Sequence, residues 1–254
     1  ANLDISERRL PQDGDFNVMM DGRPIDLRVS TMPSKFGEIV VMRIIDSKNN
    51  RLSLETLGFN EKMLLDWKSI VEQPNGVVLV TGPTGSGKST TLYSVLSQLD
   101  TNEINVSTIE DPIEAQIKGI NQSQINERAG FTFSKALRSM LRQDPDVLMV
   151  GEVRDTETAA IVSQAALTGH LVFSTLHTND SISAITRLIN LGIEPYLVAA
   201  TVRGVLAQRL VRKICPSCKS AWEGDDAVRQ ACGGGEYFMG SGCNRCRGTG
   251  FAGR

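Results

Sequence analysis

The sequence has almost no net charge, no long apolar run and only two histidines. Its 27 lysines and arginines are offset by 29 aspartates and glutamates, leaving a formal net charge of −2. A dedicated nucleic-acid binder needs clustered surplus cations to neutralise phosphates, so this balance disfavours that class. A bilayer-spanning helix needs about 20 consecutive apolar residues, and no run approaches that length. The longest run, residues 39–45, contains Arg43 and predicts a buried strand.

The sequence also lacks a secretory leader and starts at Ala1. We therefore expect a piece of a longer protein. The 254 residues are 41% hydrophobic, which suffices for a globular core. Without a leader, paired cysteines are more typical of a metal site in a reducing cytoplasm than of disulfides.

Hydrophobic periodicity divides the chain into four predicted segments. The first is a small β module with short strands, the second a linker with a helix, and the third alternates strands with helices. Such alternation is typical of an α/β domain with a mostly parallel sheet. The fourth is polar and glycine-rich, so it needs a covalent or metal staple. The predicted boundaries are 1–50, 51–75, 76–212 and 213–254.

A phosphate-binding loop follows the apolar run at residues 77–81. Residues 82–89 match the pattern G-x-x-x-x-G-K-[ST] between a predicted strand and a predicted helix. Lys88 should reach the β- and γ-phosphates of a nucleotide, and Ser89 should hold Mg²⁺. A glycine-rich turn that binds nothing is the alternative. The candidate ATP-binding residues here are Gly82, Pro83, Thr84, Gly85, Ser86, Gly87, Lys88, Ser89 and Thr90.

Hydrolysis also requires a carboxylate that orients water or holds the metal ion. The apolar strand predicted at 147–150 is followed by Glu152, a candidate ligand for Mg²⁺ or water. Glu110, Asp111 and Glu114 follow another predicted strand. Ligands bind at the carboxyl ends of parallel strands, so this acidic cluster is expected to face the γ-phosphate. A solvated acidic turn is the alternative.

Both histidines flank the strand predicted at 171–175. His170 precedes it and His177 follows it. Histidines at strand ends are more often structural than catalytic. Because this strand is expected to border the nucleotide, at least one of the two is a candidate phosphate sensor.

Four of the five cysteines form two Cys-x-x-Cys pairs. Two such pairs can present four thiolates tetrahedrally, as structural Zn²⁺ requires. Free thiols or an oxidative disulfide are the alternatives, and Cys232 is interpreted as a spare. The candidate zinc ligands are Cys215, Cys218, Cys243 and Cys246.

Together these motifs resemble the ATPases of type II secretion and type IV pilus assembly. The resemblance extends over nearly the whole chain and includes an acidic "Asp box" and a "His box". The matching segments are residues 8–14, 82–89, 108–114, 137–146, 151–155, 168–178 and 207–212.

The resemblance implies a RecA-like ATPase core, the C-terminal part of a PAS-like domain before it, and a tetracysteine zinc element after it. Glu114 would be the general base and Glu152 the Walker B glutamate, with Glu110 and Asp111 supporting them. His177 would contact the γ-phosphate, with His170 beside it. Arg28 and Arg43 match arginines that the N-terminal domain moves onto the nucleotide; from the residues alone they are ordinary strand surface residues.

The function implied is that of a hexameric Mg-ATP hydrolysing motor at the cytoplasmic face of the inner membrane. Its partners would be an inner-membrane platform protein and other assembly components, with no nucleic acid. Its cofactors would be ATP, Mg²⁺ and Zn²⁺. The alternatives from other classes are a RecA-like nucleic-acid translocase and a nucleotide-gated scaffold that does not hydrolyse ATP. The sequence leaves the choice between a secretion client and a pilus client open.

Overall fold

A computed structural model of the chain describes residues 3–20, 22–45, 53–222, 224–231, 233 and 235–254. The chain divides into two compact units, residues 1–208 and 209–254. The finer four-segment division expected from the sequence stays a prediction. Cys232 lies outside the described residues.

The first unit begins with a three-stranded antiparallel sheet in the order β1-β2-β3. Its strands are β1 (Gln12–Met20), β2 (Arg23–Ser34) and β3 (Gly37–Ile45). The short strands expected in this module are present, and the one predicted at residues 39–45 begins two residues earlier, at Gly37, which pairs with Ser34. Arg28 on β2 lies directly opposite Arg43 on β3, so both arginines belong to one face of this sheet.

The expected burial of β3 is wrong. Val41, Met42 and Ile44 are 60%, 62% and 66% exposed. β3 is an edge strand, and its side chains alternate between two faces that both remain open within the described residues. The apolar run therefore identified a strand correctly but did not report its burial.

The rest of the first unit is a six-stranded parallel sheet in the order β6-β5-β7-β8-β4-β9. This confirms the predicted α/β fold class with a parallel sheet. In chain order the elements are α1 (Glu61–Val71), β4 (Gly76–Thr81), α2 (Lys88–Leu96), β5 (Val106–Glu110), β6 (Asn121–Gln124), α3 (Phe133–Met140), β7 (Val147–Val150), α4 (Thr156–Leu167), β8 (Leu171–Leu176), α5 (Ser181–Asn190), α6 (Pro195–Thr201) and β9 (Val202–Ala207).

Helices cover both faces of the parallel sheet. Along β7, Leu148 and Val150 belong to one apolar cluster, together with residues of α3 to α6. Val147 and Met149 belong to the other, together with residues of α1 and α2. Side chains of a strand alternate between the two faces, so continuous apolar runs are needed where both faces are buried. This explains why the central strands could be recognised in the sequence.

The second unit, by itself, has little apolar core. It contains β10 (Lys219–Ala221), α7 (Asp226–Ala231) and β11 (Phe238–Gly240), and β10 pairs with β11. Its buried cluster consists of Cys215, Cys218 and Cys246, against which Cys243 and Ala252 pack. No helix in the described part of the chain has the length and apolarity that crossing a bilayer requires.

Candidate nucleotide site and cysteine cluster

Four loops that carry candidate residues follow the carboxyl ends of strands in the parallel sheet. The phosphate loop follows β4, His177 follows β8, Glu152 follows β7, and the Asp box begins at the end of β5. These strands are consecutive neighbours in the order β5-β7-β8-β4, and all are parallel. Their carboxyl ends therefore place the loops side by side, where ligands of open α/β sheets bind.

Glycines shape the phosphate loop between β4 and α2. Gly85 and Gly87 have φ values of 76° and 88°, which non-glycine residues rarely adopt. A Cβ on Gly82 would lie 2.3 Å from the carbonyl oxygen of Gln208, so this position also has no room for a side chain. The backbone can therefore turn its N–H groups inward just before α2 begins at Lys88.

The phosphate loop contains a buried cation and a buried hydroxyl without a partner. Lys88 is 8% exposed, and its Nζ donates to the carbonyl oxygens of Gly82 (2.9 Å) and Pro83 (3.2 Å). Burial lowers the pKa of Lys88, and the charge of Glu152 opposes this effect. Ser86 Oγ is buried and has no hydrogen-bond partner within the described residues.

These features fit a bound nucleoside triphosphate. An unpaired buried hydroxyl is unfavourable unless a ligand or water satisfies it, and phosphate oxygens can do so. Lys88 supplies a positive charge on the loop that would hold the β- and γ-phosphates. Ser89, exposed in the first turn of α2, carries the hydroxyl that would hold Mg²⁺, and Thr90 follows it, half-buried.

Glu152 lies in a network of charged groups after β7. Its carboxylate accepts a short hydrogen bond from Arg154, and its Oε2 lies 3.3 Å from Nε2 of His177. The hydrogen bond from Arg154 lowers the pKa of Glu152, burial opposes it, and His177 lowers it further. Arg154 also lies 3.8 Å from Asp111, so it links the loops that follow β7 and β5. Glu152 is thus a carboxylate held ionised beside Lys88 and His177.

Glu110 is buried, unlike the other two Asp box carboxylates, Asp111 and Glu114. It is 4% exposed and accepts hydrogen bonds from Tyr93, from Thr108 (2.7 Å) and from Gln122 (3.0 Å). Glu110 is the last residue of β5, and it shares a sheet face with Thr108, two residues earlier. Side chains of α2, β5 and β6 thus hold the Glu110 carboxylate inside the protein, and its expected part in the nucleotide site stays a prediction.

Glu114 is the Asp box carboxylate that the N-terminal sheet contacts. Its side chain is 41% exposed, and its Oε2 lies 3.8 Å from a guanidinium nitrogen of Arg28. A second nitrogen of Arg28 donates to the carbonyl oxygen of Ile113 at 3.1 Å. Arg43 is exposed on the same sheet face as Arg28. The structure therefore brings Arg28 to the base candidate and leaves Arg43 beside it on the sheet.

His170 lies at the opposite edge of the sheet from the phosphate loop. It precedes β8, whereas His177 follows it. Its Nδ1 lies 2.9 Å from the carbonyl oxygen of Ala165 and 3.2 Å from Thr168 Oγ1, both at the end of α4. Six strand residues separate the two histidines, a distance of about 20 Å along an extended chain. Within this chain His170 therefore does not join the candidate site.

Two residues of the site were not predicted from the sequence. Arg154 was recognised only as part of a matching segment, and Tyr93 only as part of a helix. The sequence did contain a signal for Arg154. It lies two positions after Glu152, and residues two positions apart lie on one side of an extended segment. Nothing local singles out Tyr93, since its contacts come from residues 17 and 21 positions away.

The four cysteine sulfurs of the second unit lie within 4.8 Å of one another. Three of the Sγ–Sγ distances are 3.9 Å (Cys215–Cys243), 3.8 Å (Cys218–Cys246) and 3.7 Å (Cys243–Cys246). Four sulfurs bound tetrahedrally to zinc at about 2.3 Å lie about 3.8 Å apart, whereas disulfide sulfurs lie about 2 Å apart. The geometry fits a closed Cys₄ zinc site.

Backbone donors around Cys246 agree with a thiolate ligand. Its Sγ accepts hydrogen bonds from the N–H groups of Cys243 (3.1 Å) and Gly250 (3.3 Å). Burial raises the pKa of Cys246, but these donors outweigh it and the pKa falls to about 6. Zinc would supply a structural crosslink here, because four sulfur ligands leave no position for a substrate.

We expect Arg154→Ala to destabilise the protein above pH 4.5, the ordinary pKa of a glutamate, but not well below it. A lowered folded-state pKa stabilises the protein above the unfolded-state value, and this stabilisation disappears as pH falls through the folded-state value. Arg154 is half exposed, so the loss in unfolding free energy should be about 1 kcal/mol or less. Urea denaturation at pH values from about 3 to about 8 measures this loss in unfolding free energy.

The more exposed pair Arg138–Glu157 provides the matched comparison for this prediction. Both side chains are 57% exposed, so Arg138→Ala should show a smaller pH-dependent difference. A loss in Arg154→Ala that is equal at all pH values would show that Arg154 stabilises the protein by packing rather than through Glu152.

Comparisons with known proteins agree with this arrangement. The family described as type II/IV secretion system protein matches residues 1–254. Type II secretion system ATPase E of Vibrio cholerae is 51% identical over 259 aligned residues, covering 100% of this chain and 52% of that protein. Type IV pilus assembly ATPase PilB of Thermus thermophilus is 48% identical over 261 residues, covering 100% of this chain and 29% of that protein.

A solved structure has the same fold. The pilus retraction motor PilT with bound ADP superimposes with a TM-score of 0.67 and 33% sequence identity, covering 91% of this chain and 62% of that one. This chain spans about half the length of its Vibrio relative. Because the match to the family extends over every residue, the chain belongs to the type II/IV secretion system protein family.

Proposed function

We propose that this chain is the catalytic part of a motor that hydrolyses Mg-ATP. The observation that carries the proposal is the alignment of the phosphate loop, Glu152 and the Asp box along one edge of a parallel sheet. Relatives named as secretion and pilus ATPases, and the ADP-bound retraction motor, support it.

In the proposed reaction, water attacks the γ-phosphorus of ATP in line with the bond to ADP. The P–O bond to ADP breaks, and Glu114 accepts the proton that the water loses. Glu152, held by Arg154 and His177, orients the water or the metal ion. Lys88 and the loop N–H groups hold the β- and γ-phosphates, and Mg²⁺ on Ser89 would neutralise charge as the bond breaks.

We further propose that Arg28 and Arg43 move with the N-terminal sheet and report the state of the nucleotide. Arg28 already contacts the Asp box through Glu114 and Ile113, so the two parts of the site can interact in one chain. Hydrolysis can drive such a movement only if the closed arrangement binds ATP and ADP with different affinities. His177, 3.3 Å from Glu152, is the proposed γ-phosphate contact.

The motor is proposed to work as a homohexamer at the cytoplasmic face of the inner membrane. Its client would be a type II secretion pseudopilus or a type IV pilus, moved through an inner-membrane platform protein. The names of the relatives support both clients. The structural zinc site of the second unit belongs to this proposal as a folding element.

Lys88→Ala tests the proposed nucleotide site. We expect the purified protein to release phosphate from Mg-ATP. We expect the affinity of this variant for ATP to be lower by about 100-fold or more, because a buried charge-assisted contact is removed. Fluorescent-nucleotide titration and phosphate release measure the two effects. Lys62→Ala, on the exposed side of α1, is the matched control. Unchanged nucleotide affinity in Lys88→Ala would contradict the site, and ATP binding without turnover in the unmodified protein would favour a scaffold.

A further inference from the structure

A buried tyrosine hydroxyl connects the phosphate-loop helix to the loop that carries Glu114. Tyr93 lies on α2, five residues after Lys88, and its side chain is 2% exposed. Neither its burial nor its position on an apolar face requires a hydroxyl, since phenylalanine would fill the same volume. The function of the oxygen must therefore come from its hydrogen bonds.

That hydroxyl has one partner on each side. It donates to the carboxylate of Glu110 and accepts the backbone N–H of Glu114 at 3.0 Å. Burial, followed by the hydrogen bond to Glu110 and the negative charge of that group, raises the pKa of Tyr93, so the hydroxyl keeps its proton and stays a donor to Glu110. Glu110 is fixed in turn by Thr108 and Gln122.

The segment around Glu114 has no helix or strand of its own and is held by side chains. Gln124 Oε1 accepts the N–H of Ile113 at 3.2 Å. Gln122 accepts the N–H of Ile117 at 2.7 Å and donates to the carbonyl oxygen of Ala115 at 3.0 Å. β6 therefore holds the segment from one side, and Tyr93 holds it from the other at Glu114 itself.

We propose that Tyr93 is a positioning residue that sets the place of the Glu114 carboxylate relative to the phosphates. This inference rests on the proposed function, in which Glu114 is the base. α2 begins at the phosphate loop with Lys88 and reaches the Glu114 backbone through Tyr93. One rigid helix thus connects the group that holds the phosphates to the group that accepts the proton.

Removing the hydroxyl leaves the Glu114 N–H without this acceptor, whereas Glu110 keeps Thr108 and Gln122. The fold should tolerate the change, but the base should be placed less accurately. A displacement of about 1 Å at a reacting group can lower a rate by about 100-fold. The effect is expected on kcat, because the hydrogen bonds of the Tyr93 hydroxyl go to Glu110 and Glu114 and not to the phosphate loop.

Tyr93→Phe is expected to lower kcat by roughly 10- to 100-fold while KM and ADP affinity stay within about 2-fold of the unmodified protein. Steady-state phosphate release, fluorescent ADP titration and thermal denaturation measure these quantities. Tyr196→Phe, which removes a hydroxyl from a side chain 69% exposed, is the matched control. An unchanged kcat, or parallel losses of kcat, ADP affinity and Tm, would overturn the proposal.

Gln122→Met provides a second variant if Tyr93→Phe does not fold. It keeps side-chain volume but removes the donor to Ala115 and to Glu110 and the acceptor for Ile117. A lower kcat with unchanged ADP affinity supports the positioning of this segment by side chains. A kcat equal to that of the unmodified protein overturns the positioning proposal. If Glu114→Gln is inactive and Tyr93→Phe is fully active, only the positioning role fails. Turnover that survives in Glu114→Gln overturns the base assignment and the positioning role together.

Discussion

Replacing Glu114 with glutamine is expected to lower the rate of ATP hydrolysis by roughly 10²- to 10⁴-fold and to leave ATP affinity nearly unchanged. Glutamine has almost the same shape as glutamate but cannot accept the proton of the attacking water. The backbone contacts of Glu114 and Ile113 do not depend on the carboxylate, so the loop should keep its place. Phosphate release under saturating Mg-ATP measures the rate, and fluorescent-nucleotide titration measures affinity.

Glu103→Gln is the matched control for that variant, because Glu103 is exposed between α2 and β5. Turnover that persists in Glu114→Gln would assign the base elsewhere. Glu152 is then the next candidate, since its carboxylate lies 3.3 Å from His177 and its charge acts on Lys88. Loss of ATP affinity together with rate would instead show that Glu114 supports binding rather than proton transfer.

Removing zinc is expected to unfold the second unit, residues 209–254. Metal binding contributes about 10–16 kcal/mol to the folding of small zinc modules near neutral pH, and this unit has almost no apolar core to replace it. Metal analysis should find one zinc ion per chain. A strong chelator should then make the segment sensitive to proteases while the first unit stays folded.

Cys246→Ser is the corresponding variant, because it removes a buried ligand whose sulfur receives two backbone hydrogen bonds. It should lose most of the bound zinc and show the same protease sensitivity. Cys232→Ser, at the cysteine interpreted as a spare, is the control. Full resistance to chelators with no metal in the purified protein would contradict a zinc site.

The phosphate loop and the central strands could be predicted because their signals are local. Residues 82–89 form one short pattern, and a strand buried on both faces must be apolar throughout, as β7 and β8 are. β6 gave no such signal, because Asn121–Gln124 is a polar strand at the sheet edge. β9 and α6 were also not identified as separate elements.

The direction of each side chain was harder to predict than the identity of each motif. Sequence spacing placed Glu110 and Glu114 in one acidic cluster, but Glu110 turns inward because it shares a face of β5 with Thr108. Its partner Tyr93 lies on another element, so no local pattern connects them. The exposure of the apolar residues of β3 could not be predicted either, since burial depends on what packs against a strand.

The sheet order also sets the width of the active-site edge. β8 and β7 lie between β4, which carries the phosphate loop, and β5, which carries the Asp box. Neighbouring strands are about 4.8 Å apart, so the roots of these two loops are separated by three steps, or about 14 Å. Backbone pairing makes that separation a whole number of strand steps. Point substitutions do not change this separation. They can change the loops and side chains that lie between the two strands, and above all how far the Asp box loop extends toward the phosphate loop.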